Sequence, residues 1–242
     1  GSGAPGGARV GFDAPFAAWR EAARRAAESG ATADWGAISA RAGAVAKRAA
    51  LACSAERLAA AGVTVMSGQA RFVGPDRLVV AGGTVAARRF VIATGRVAVA
   101  PGAPGLDLLH ALDPHAALAL SRRPERVAIL GAGTTGLALA QTFARLGAPT
   151  VAIDREAALG ELPREFAEPI LRRLAAEGVR LLERAEIVAF DPIGGGPGAV
   201  VRLAGGEAIE ASHVVLAAGW RAAVEGLGLE TTGVAAGPHG VE

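Results

Sequence analysis

Residues 126–154 read RVAILGAGTTGLALAQTFARLGAPTVAID, and this stretch decides the fold. It contains, in order, an apolar run, a Gly-x-Gly-x-x-Gly turn, a segment with helical periodicity, a second apolar run and an acid. This order predicts a β-strand, a tight turn, an α-helix and a second, parallel strand, which together begin a doubly wound α/β sheet. The acid, Asp154, is predicted at the carboxyl end of the second strand.

The glycine-rich turn is predicted to hold the pyrophosphate of a dinucleotide. Gly131 lets the chain leave the strand sharply, Gly133 lets the backbone approach the phosphates, and Gly136 lets the helix pack close to the strand. The first turn of the helix adds unpaired N–H groups and the positive end of the helix dipole. The predicted phosphate-binding residues are Gly131, Ala132, Gly133, Thr134, Thr135 and Gly136. The alternative, a glycine-rich turn without a ligand, is disfavoured by the ordered strand, helix and acid around it.

Two residues after the second strand bear on the choice of cofactor. The carboxylate of Asp154 can accept hydrogen bonds from ribose hydroxyls and would repel a 2′-phosphate, so it favours NAD(H) over NADP(H). Arg155 points the other way, because an arginine at this place can pair with a 2′-phosphate. The alternative reading of Asp154 is a helix or turn cap, and that of Arg155 is a solvated surface charge.

Composition limits the classes of function. Hydrophobic residues make up 51% and charged residues 20% of the 242 residues, and the formal net charge is only +2, so no basic surface for nucleic acid is expected. Neither a membrane span nor a signal peptide is evident, which predicts a cytoplasmic protein. The four histidines have no ligand spacing, so no metal site is predicted. Cys53, the single cysteine, excludes an intrachain disulfide and is expected to be a small buried apolar residue.

Local patterns predict the remaining elements. Helices are predicted over residues 14–29, 35–61, 114–121 and 164–177, and short strands over residues 63–66, 77–80, 90–93, 179–182, 186–190, 199–203 and 213–217. These patterns predict a glycine-rich leader (1–12), a first domain of two helices and a small β-meander (13–118), a Rossmann-type domain with a β-meander (119–226) and a return segment (227–242). The leader also contains a literal Gly-x-Gly-x-x-Gly match, Gly1–Gly6, which is expected to be non-functional because no strand precedes it.

Four passages together resemble the pyridine nucleotide–disulfide oxidoreductase family, in its mercuric reductase and dihydrolipoamide dehydrogenase branches. They are the segment 62–74, the segment 86–106 with Ala93-Thr-Gly95, the nucleotide motif, and the segment 214–234 with Ala217-Ala-Gly-Trp-Arg221. The resemblance implies one FAD site and one NAD(P)H site, hydride transfer from nicotinamide to flavin, and a homodimeric whole enzyme. It identifies residues 13–118 as a partial FAD-binding-type domain. It places Ala70, Ala93, Thr94 and Gly95 at the FAD side and Gly219 at the nicotinamide side.

The chain also departs from that family. The family's FAD fingerprint and its Cys-x₄-Cys pair are absent, and Ala138 stands where many members carry a glutamate. We therefore expect a fragment truncated at both ends, without a catalytic residue of its own and inactive alone. A degenerate paralogue that acts as a non-catalytic NAD(H)-binding or interaction module is the alternative. A single-domain dehydrogenase is disfavoured, because the chain has no tyrosine for the usual Tyr-Lys acid pair.

Overall fold

A computed structural model of the chain describes residues 13–30, 33–237 and 240–242. The described helices are α1 (Asp13–Ser29), α2 (Trp35–Ala52), α3 (Ala55–Ala60), α4 (Pro114–Leu118), α5 (Thr134–Arg145) and α6 (Arg164–Ala176). Short 3-10 turns occupy Leu106–Leu108 and Leu229–Thr231. The described strands are β1 (Arg71–Gly74), β2 (Arg77–Val80), β3 (Gly83–Ala86), β4 (Arg96–Ala98), β5 (Val127–Leu130), β6 (Thr150–Ile153), β7 (Val179–Leu182), β8 (Ile187–Ile193), β9 (Gly198–Leu203), β10 (Ala208–Ala211), β11 (His213–Leu216), β12 (Trp220–Ala222), β13 (Ala236–Gly237) and β14 (Gly240–Val241). The Gly-x-Gly-x-x-Gly match at Gly1–Gly6, which is expected to be non-functional, lies outside the described residues.

The described chain forms two compact units. The first, called the meander unit below, contains residues 47–97 and 220–242, and the second, called the nucleotide unit, contains residues 13–46 and 98–219. This grouping differs from the domain boundaries expected from the sequence, because α1 and the start of α2 belong to the nucleotide unit. The predicted division at residues 118 and 226 stays a prediction.

A four-stranded parallel sheet is the centre of the nucleotide unit, which confirms the predicted α/β class. Its strand order is β11-β5-β6-β7, with β5 and β6 buried along their whole length. Alternate residues of β5 serve two cores: Val127 and Ile129 pack with α1, α5 and α6, whereas Ala128 and Leu130 pack with the antiparallel sheet β10-β9-β8. Side chains on both faces of a parallel strand are buried in this way when layers cover both sides.

An aromatic cluster attaches α1 and α2 to the nucleotide unit. The ring of Trp19, fully buried, lies 4.6 Å from that of Trp35, which stacks at 5.8 Å on Phe143 of α5. The indole N–H of Trp35 donates to the carbonyl of Leu120 at 2.9 Å. Aromatic packing of this kind contributes more than its buried area alone, which explains why α1 joins the unit that contains α5.

The meander unit contains the three-stranded antiparallel sheet β1-β2-β3. The predicted strand 77–80 is confirmed as β2, but the predictions for 63–66 and 90–93 are wrong, because both segments run without ladder partners among the described residues. Several of their apolar side chains are exposed, Val91 at 92% and also Val63, Val65 and Met66, whereas Phe90 is half-buried and packs edge-on against Phe72. The apolar pattern therefore predicted strands in two segments for which the described part of the chain offers no neighbouring strand to pair with.

The predicted helix over 35–61 is interrupted at Cys53. Asp34 caps α2 as predicted, with its Oδ1 accepting from the N–H of Ala37 at 3.0 Å. After α2 ends, the Ser54 hydroxyl accepts from the N–H of Arg57 and starts α3 as a separate helix. A serine offers the backbone this local alternative to a continuous helix. The expectation of a buried thiol is wrong, because Cys53 is exposed in the turn between the helices.

Glu177 joins the ends of α5 and α6 in the nucleotide unit. Its carboxylate, about one-tenth exposed, accepts from Gln141 at 2.9 Å, from two guanidinium nitrogens of Arg145 at 2.7 Å and from Arg173. Burial by itself raises the pKa of Glu177, but the hydrogen bonds from Arg145, Arg173 and Gln141 outweigh it and lower the pKa from 4.5 to about 2.

The nucleotide unit should therefore lose stability in acid through this carboxylate. A folded-state pKa below the unfolded value stabilises the fold above pH 4.5, and the contribution disappears as the pH falls towards 2. We expect a loss of about 3 kcal/mol over that window. Urea unfolding at several pH values, followed by tryptophan fluorescence, measures it. Glu177→Gln should flatten this part of the pH dependence, whereas Glu168→Gln, an exposed substitution on α6, should leave it unchanged; equal profiles for both variants would contradict the assignment.

The described residues contain neither a candidate membrane-spanning helix nor a candidate metal-binding group. Within 13–30, 33–237 and 240–242, no helix is both long enough and apolar enough to cross a membrane. In that same part of the chain, no group of three His, Cys, Asp or Glu side chains is arranged to hold a metal ion.

Candidate dinucleotide-binding site

The glycine-rich turn lies between β5 and α5, at the carboxyl edge of the parallel sheet. Gly131 has φ +114° and donates its N–H to the carbonyl of Ile153 at 2.8 Å. A Cβ on Gly131 would collide with the backbone of Ala217, and a Cβ on Gly136 would overlap the carbonyl oxygen of Gly131. The structural roles predicted for Gly131 and Gly136, a sharp turn and close helix packing, are thus confirmed.

Gly133 differs from its two neighbours in the motif. Its φ is −76°, an ordinary value, and a Cβ added there would meet no atom within 4 Å. The residue is exposed and forms the N-cap of α5 without a side-chain hydrogen bond. Thr134 and Thr135 follow in the first turn, which contains no acid. The turn therefore leaves open space in front of a helix N-terminus, the arrangement that binds phosphate in other proteins.

Asp154 follows β6 and braces this turn. Its Oδ2 accepts from the N–H of Ala132 at 2.6 Å, and its Oδ1 accepts from the N–H of Glu156 at 2.9 Å. The turn-capping reading of Asp154 is therefore observed. A carboxylate has about four acceptor positions, so two bonds to the backbone leave capacity for hydroxyl donors. The predicted ribose contact stays a prediction.

Arg155, the second residue weighed for cofactor choice, projects outward. Its side chain is 84% exposed and forms an ion pair at 3.7 Å with Glu156, which is itself 77% exposed. An ion pair this exposed contributes little to stability. The guanidinium is therefore held only weakly where it is, which matches the predicted surface charge more closely than a fixed anion ligand.

A cavity of about 420 Å³ is lined by residues that follow Asp154 and Arg155 in the chain, beginning at Ala157. It lies beneath the loop after β6 and beside the start of α6, and its charged lining residues are Arg164, Glu183 and Arg184. Glu183 was not among the site residues predicted from the sequence. The available signal was its position directly after β7, because the carboxyl ends of neighbouring parallel strands meet at the same edge as Asp154.

Glu183 is engaged from two sides. One carboxylate oxygen, Oε1, accepts from the N–H of Ala158 at 2.9 Å and from Arg164 at 3.1 Å. The hydrogen bond from Arg164 is the largest cause of the lowered pKa of Glu183, and burial opposes it. Arg164 therefore already has an acidic partner, which reduces its availability for a phosphate.

The segment after β11 forms the other neighbour of the glycine-rich turn. Because β11 pairs with β5 in parallel, Ala217 follows directly beside the turn and donates to the carbonyl of Leu130 at 2.7 Å. Gly219, predicted at the nicotinamide side, has φ +122° and accepts from the N–H of Val99 at 2.9 Å. Gly219 thus belongs to the same compact unit as the glycine-rich turn.

The residues predicted at an FAD side belong to the meander unit. Ala93, Thr94 and Gly95 are exposed, Gly95 has φ +80°, and its carbonyl accepts from the N–H of Ala223 at 3.0 Å. Ala70 is half-buried just before β1. The predicted sites therefore fall into two groups, one in each compact unit.

Comparisons with known proteins find relatives over most of the chain. The sequence pattern of the family described as "Pyridine nucleotide-disulphide oxidoreductase" matches residues 16–241. The chain is 37% identical to a mercuric reductase of Streptomyces lividans over 186 residues, covering 74% of this chain and 39% of the relative. It is 37% identical to dihydrolipoyl dehydrogenase 3 of Pseudomonas aeruginosa over 188 residues, covering 73% and 40%.

A solved structure gives the same fold. The HOCl-induced flavoprotein disulfide reductase RclA from Escherichia coli superposes with a TM-score of 0.82 over 96% of this chain and 52% of that protein, at 22% identity. At this identity the likeness establishes the fold alone. The chain spans 39% and 40% of the two curated relatives above, so it corresponds to only part of each.

Proposed function

We propose, because the chain belongs to the pyridine nucleotide-disulphide oxidoreductase family, that its nucleotide unit holds the nicotinamide dinucleotide of an FAD-dependent oxidoreductase. The observation that carries the proposal is the open space at Gly133, directly in front of the uncapped N-terminus of α5. A dinucleotide pyrophosphate fits a cradle that any Cβ would fill.

Each part of the site has a binding role in this proposal. Free N–H groups at the start of α5 bind the pyrophosphate, and Asp154 accepts from ribose hydroxyls while it keeps its bond to Ala132. Gly219 lies on the nicotinamide side. When bound, the nicotinamide supplies the hydride in this family's chemistry, and the residues of this chain orient it.

We further propose that the nicotinamide cofactor is NAD(H) rather than NADP(H). The acid at Asp154 disfavours a 2′-phosphate. Arg155 is exposed, and Arg164 is already paired with Glu183. Neither arginine is thus held ready for an additional phosphate.

The described residues do not provide a complete FAD site. Among them, the meander unit has no glycine-rich turn leading into a long helix; α3, the helix that begins there, has six residues. Ala70 and Ala93–Gly95 are proposed contacts of an FAD whose phosphates would be held by other parts of the protein. The 242 residues also contain one cysteine, so they cannot form a redox disulfide by themselves. We propose that this chain alone, without added FAD, does not turn over, and that the whole enzyme is a cytoplasmic homodimer.

A non-catalytic NAD(H)-binding module is the second candidate, and the single cysteine favours it. One assay separates the two candidates. The chain is supplied with free FAD, NADH and an electron acceptor, and NADH oxidation is followed at the nicotinamide absorbance band. Turnover supports the oxidoreductase, and NADH binding without turnover supports the module. No binding of either nicotinamide cofactor would exclude both.

The role of Asp154 gives a sharper test of cofactor choice. Asp154→Asn should keep an acceptor for the N–H of Ala132 but lose the charge, so NADH affinity should fall about 10-fold and the preference for NADH over NADPH should shrink. Titration of nicotinamide fluorescence with both cofactors measures this. Arg155→Gln is the matched control and should change NADH affinity less than 3-fold. A wild-type chain that binds NADPH more tightly than NADH would contradict the proposal.

A further inference from the structure

Three hydrogen bonds connect the segment after β7 to the loop after β6 in the nucleotide unit. The N–H of Ala185 donates to the carbonyl of Asp154 at 2.8 Å, and the N–H of Arg184 donates to that of Glu156 at 3.1 Å. The third is the bond from Ala158 to the Glu183 carboxylate at 2.9 Å. Only the third depends on a side chain, so it is the one that a substitution can remove.

The loop after β6 reaches the glycine-rich turn through Leu159. Its N–H donates to the carbonyl of Ala132 at 3.0 Å, and its side chain is buried. Leu159 has φ +52°, a left-handed conformation that a leucine rarely adopts. Such a conformation persists only where surrounding contacts hold it, and the neighbouring bond from Ala158 to Glu183 is one of these.

Both backbone polar groups of Ala132, its N–H and its carbonyl, are therefore hydrogen-bonded. Asp154 accepts from its N–H, and Leu159 donates to its carbonyl. Since Ala132 lies between Gly131 and Gly133, these two bonds fix the orientation of the turn that leads into α5. The carboxylate of Glu183 accepts from the N–H of Ala158, the residue before Leu159, and the Glu183 side chain is 27% exposed.

We infer that Glu183 is a positioning residue for dinucleotide binding: by holding the N–H of Ala158 it keeps Leu159, and through it the Ala132 carbonyl, in the geometry that presents Gly133 to the pyrophosphate. This inference rests on the proposed function, because it concerns the same site. Glu183 itself need not touch the phosphates. Its ion pair with Arg164 is a separate contact, which the variants below distinguish from the bond to Ala158.

The test compares substitutions in the 242-residue chain. Glu183→Gln loses the charge, but its amide oxygen can still accept from Ala158, so NADH affinity should stay within 3-fold of wild type. Glu183→Ala removes the acceptor and should weaken NADH binding about 10-fold. Arg164→Gln removes the ion pair alone and should also stay within 3-fold. Affinity is measured by titration of nicotinamide fluorescence, after circular dichroism has verified the fold.

A second readout reports on the loop without any ligand. Hydrogen exchange at the amides of Ala158 and Leu159 should accelerate at least 10-fold in Glu183→Ala and change little in Glu183→Gln. If the alanine variant fails to fold, Glu183→Asp gives the same test, because it keeps the charge but withdraws the carboxylate by one methylene.

The possible results distinguish a failure of the positioning role of Glu183 from a failure of the proposed function. Unchanged NADH affinity in a folded Glu183→Ala chain overturns the positioning role, and so does equal weakening in the glutamine and Arg164 variants, which would assign the effect to charge. A wild-type chain that binds no NADH overturns the proposed function. In that case the exchange measurement still decides the loop: unchanged exchange rates overturn the role of Glu183, and faster exchange supports its hold on the loop.

Discussion

Gly133→Val is expected to leave the fold intact and to weaken NADH binding more than 100-fold, which is a loss of about 3 kcal/mol. A valine can occupy this position without a collision, because φ is −76° and no atom lies within 4 Å of the added Cβ. The same side chain would fill the space in front of α5 that we assign to the pyrophosphate. The substitution should therefore act mainly on the ligand, with a loss of about 1 kcal/mol in stability because valine is a poorer N-cap residue than glycine.

Calorimetric titration with NADH, together with a thermal unfolding curve, measures both parts of this prediction. Gly205→Val is the matched control, because Gly205 also has open space around its Cβ but lies in the turn between β9 and β10. It should bind NADH as wild type does. Tight NADH binding by the Gly133 variant would show that the pyrophosphate lies elsewhere.

Gly136→Ala is expected to act on the fold rather than on the ligand. It should destabilise the nucleotide unit by about 3 kcal/mol even when no ligand is present. The added Cβ would overlap the carbonyl oxygen of Gly131, and both partners are backbone-anchored within one turn of α5 and the end of β5. Neither can move away without separating the helix from the sheet.

Urea unfolding followed by tryptophan fluorescence measures this loss, since Trp19 and Trp35 both pack in the nucleotide unit beside α5. The control is Gly43→Ala in α2, where the new methyl group meets nothing within 4 Å. That substitution should be neutral or stabilise the chain by up to about 1 kcal/mol. A Gly136 variant as stable as the Gly43 variant would contradict the close packing.

The nucleotide motif was predictable because each of its parts is coded locally. A strand of four apolar residues, glycines at three fixed positions and an acid after the second strand specify β5, the turn, α5 and β6 without reference to the rest of the chain. The ribose contact of Asp154 stays a prediction, whereas the partner that its carboxylate has in the fold could not be read from the sequence. Its bond to Ala132 depends on how close β6 lies to the turn, and a sequence pattern does not contain that distance.

The wrong strand predictions and the missed elements depend on distant partners, whereas the error at Cys53 has a local cause. The runs 63–66 and 90–93 have strand-like composition, but a strand also needs a neighbour to pair with, and the described residues offer none. Cys53 lies in an apolar helical pattern that a local serine cap divides. Strand β10 was missed because its four residues, Ala208–Ala211, include one glutamate and gain their stability from pairing with β9. Glu183 was missed because its partner, the N–H of Ala158, belongs to a loop 25 residues away.

The strand order β11-β5-β6-β7 has a consequence for synthesis of the chain. Val127 at the start of β5 pairs with His213, so one edge of β5 has no strand partner until β11 has left the ribosome. During that interval a fully apolar strand presents free N–H and carbonyl groups, the kind of edge that recruits strands from other chains. The nascent protein is thus prone to misassociate in the interval between the synthesis of β5 and that of β11, and a ribosome stalled just before residue 213 would display that state.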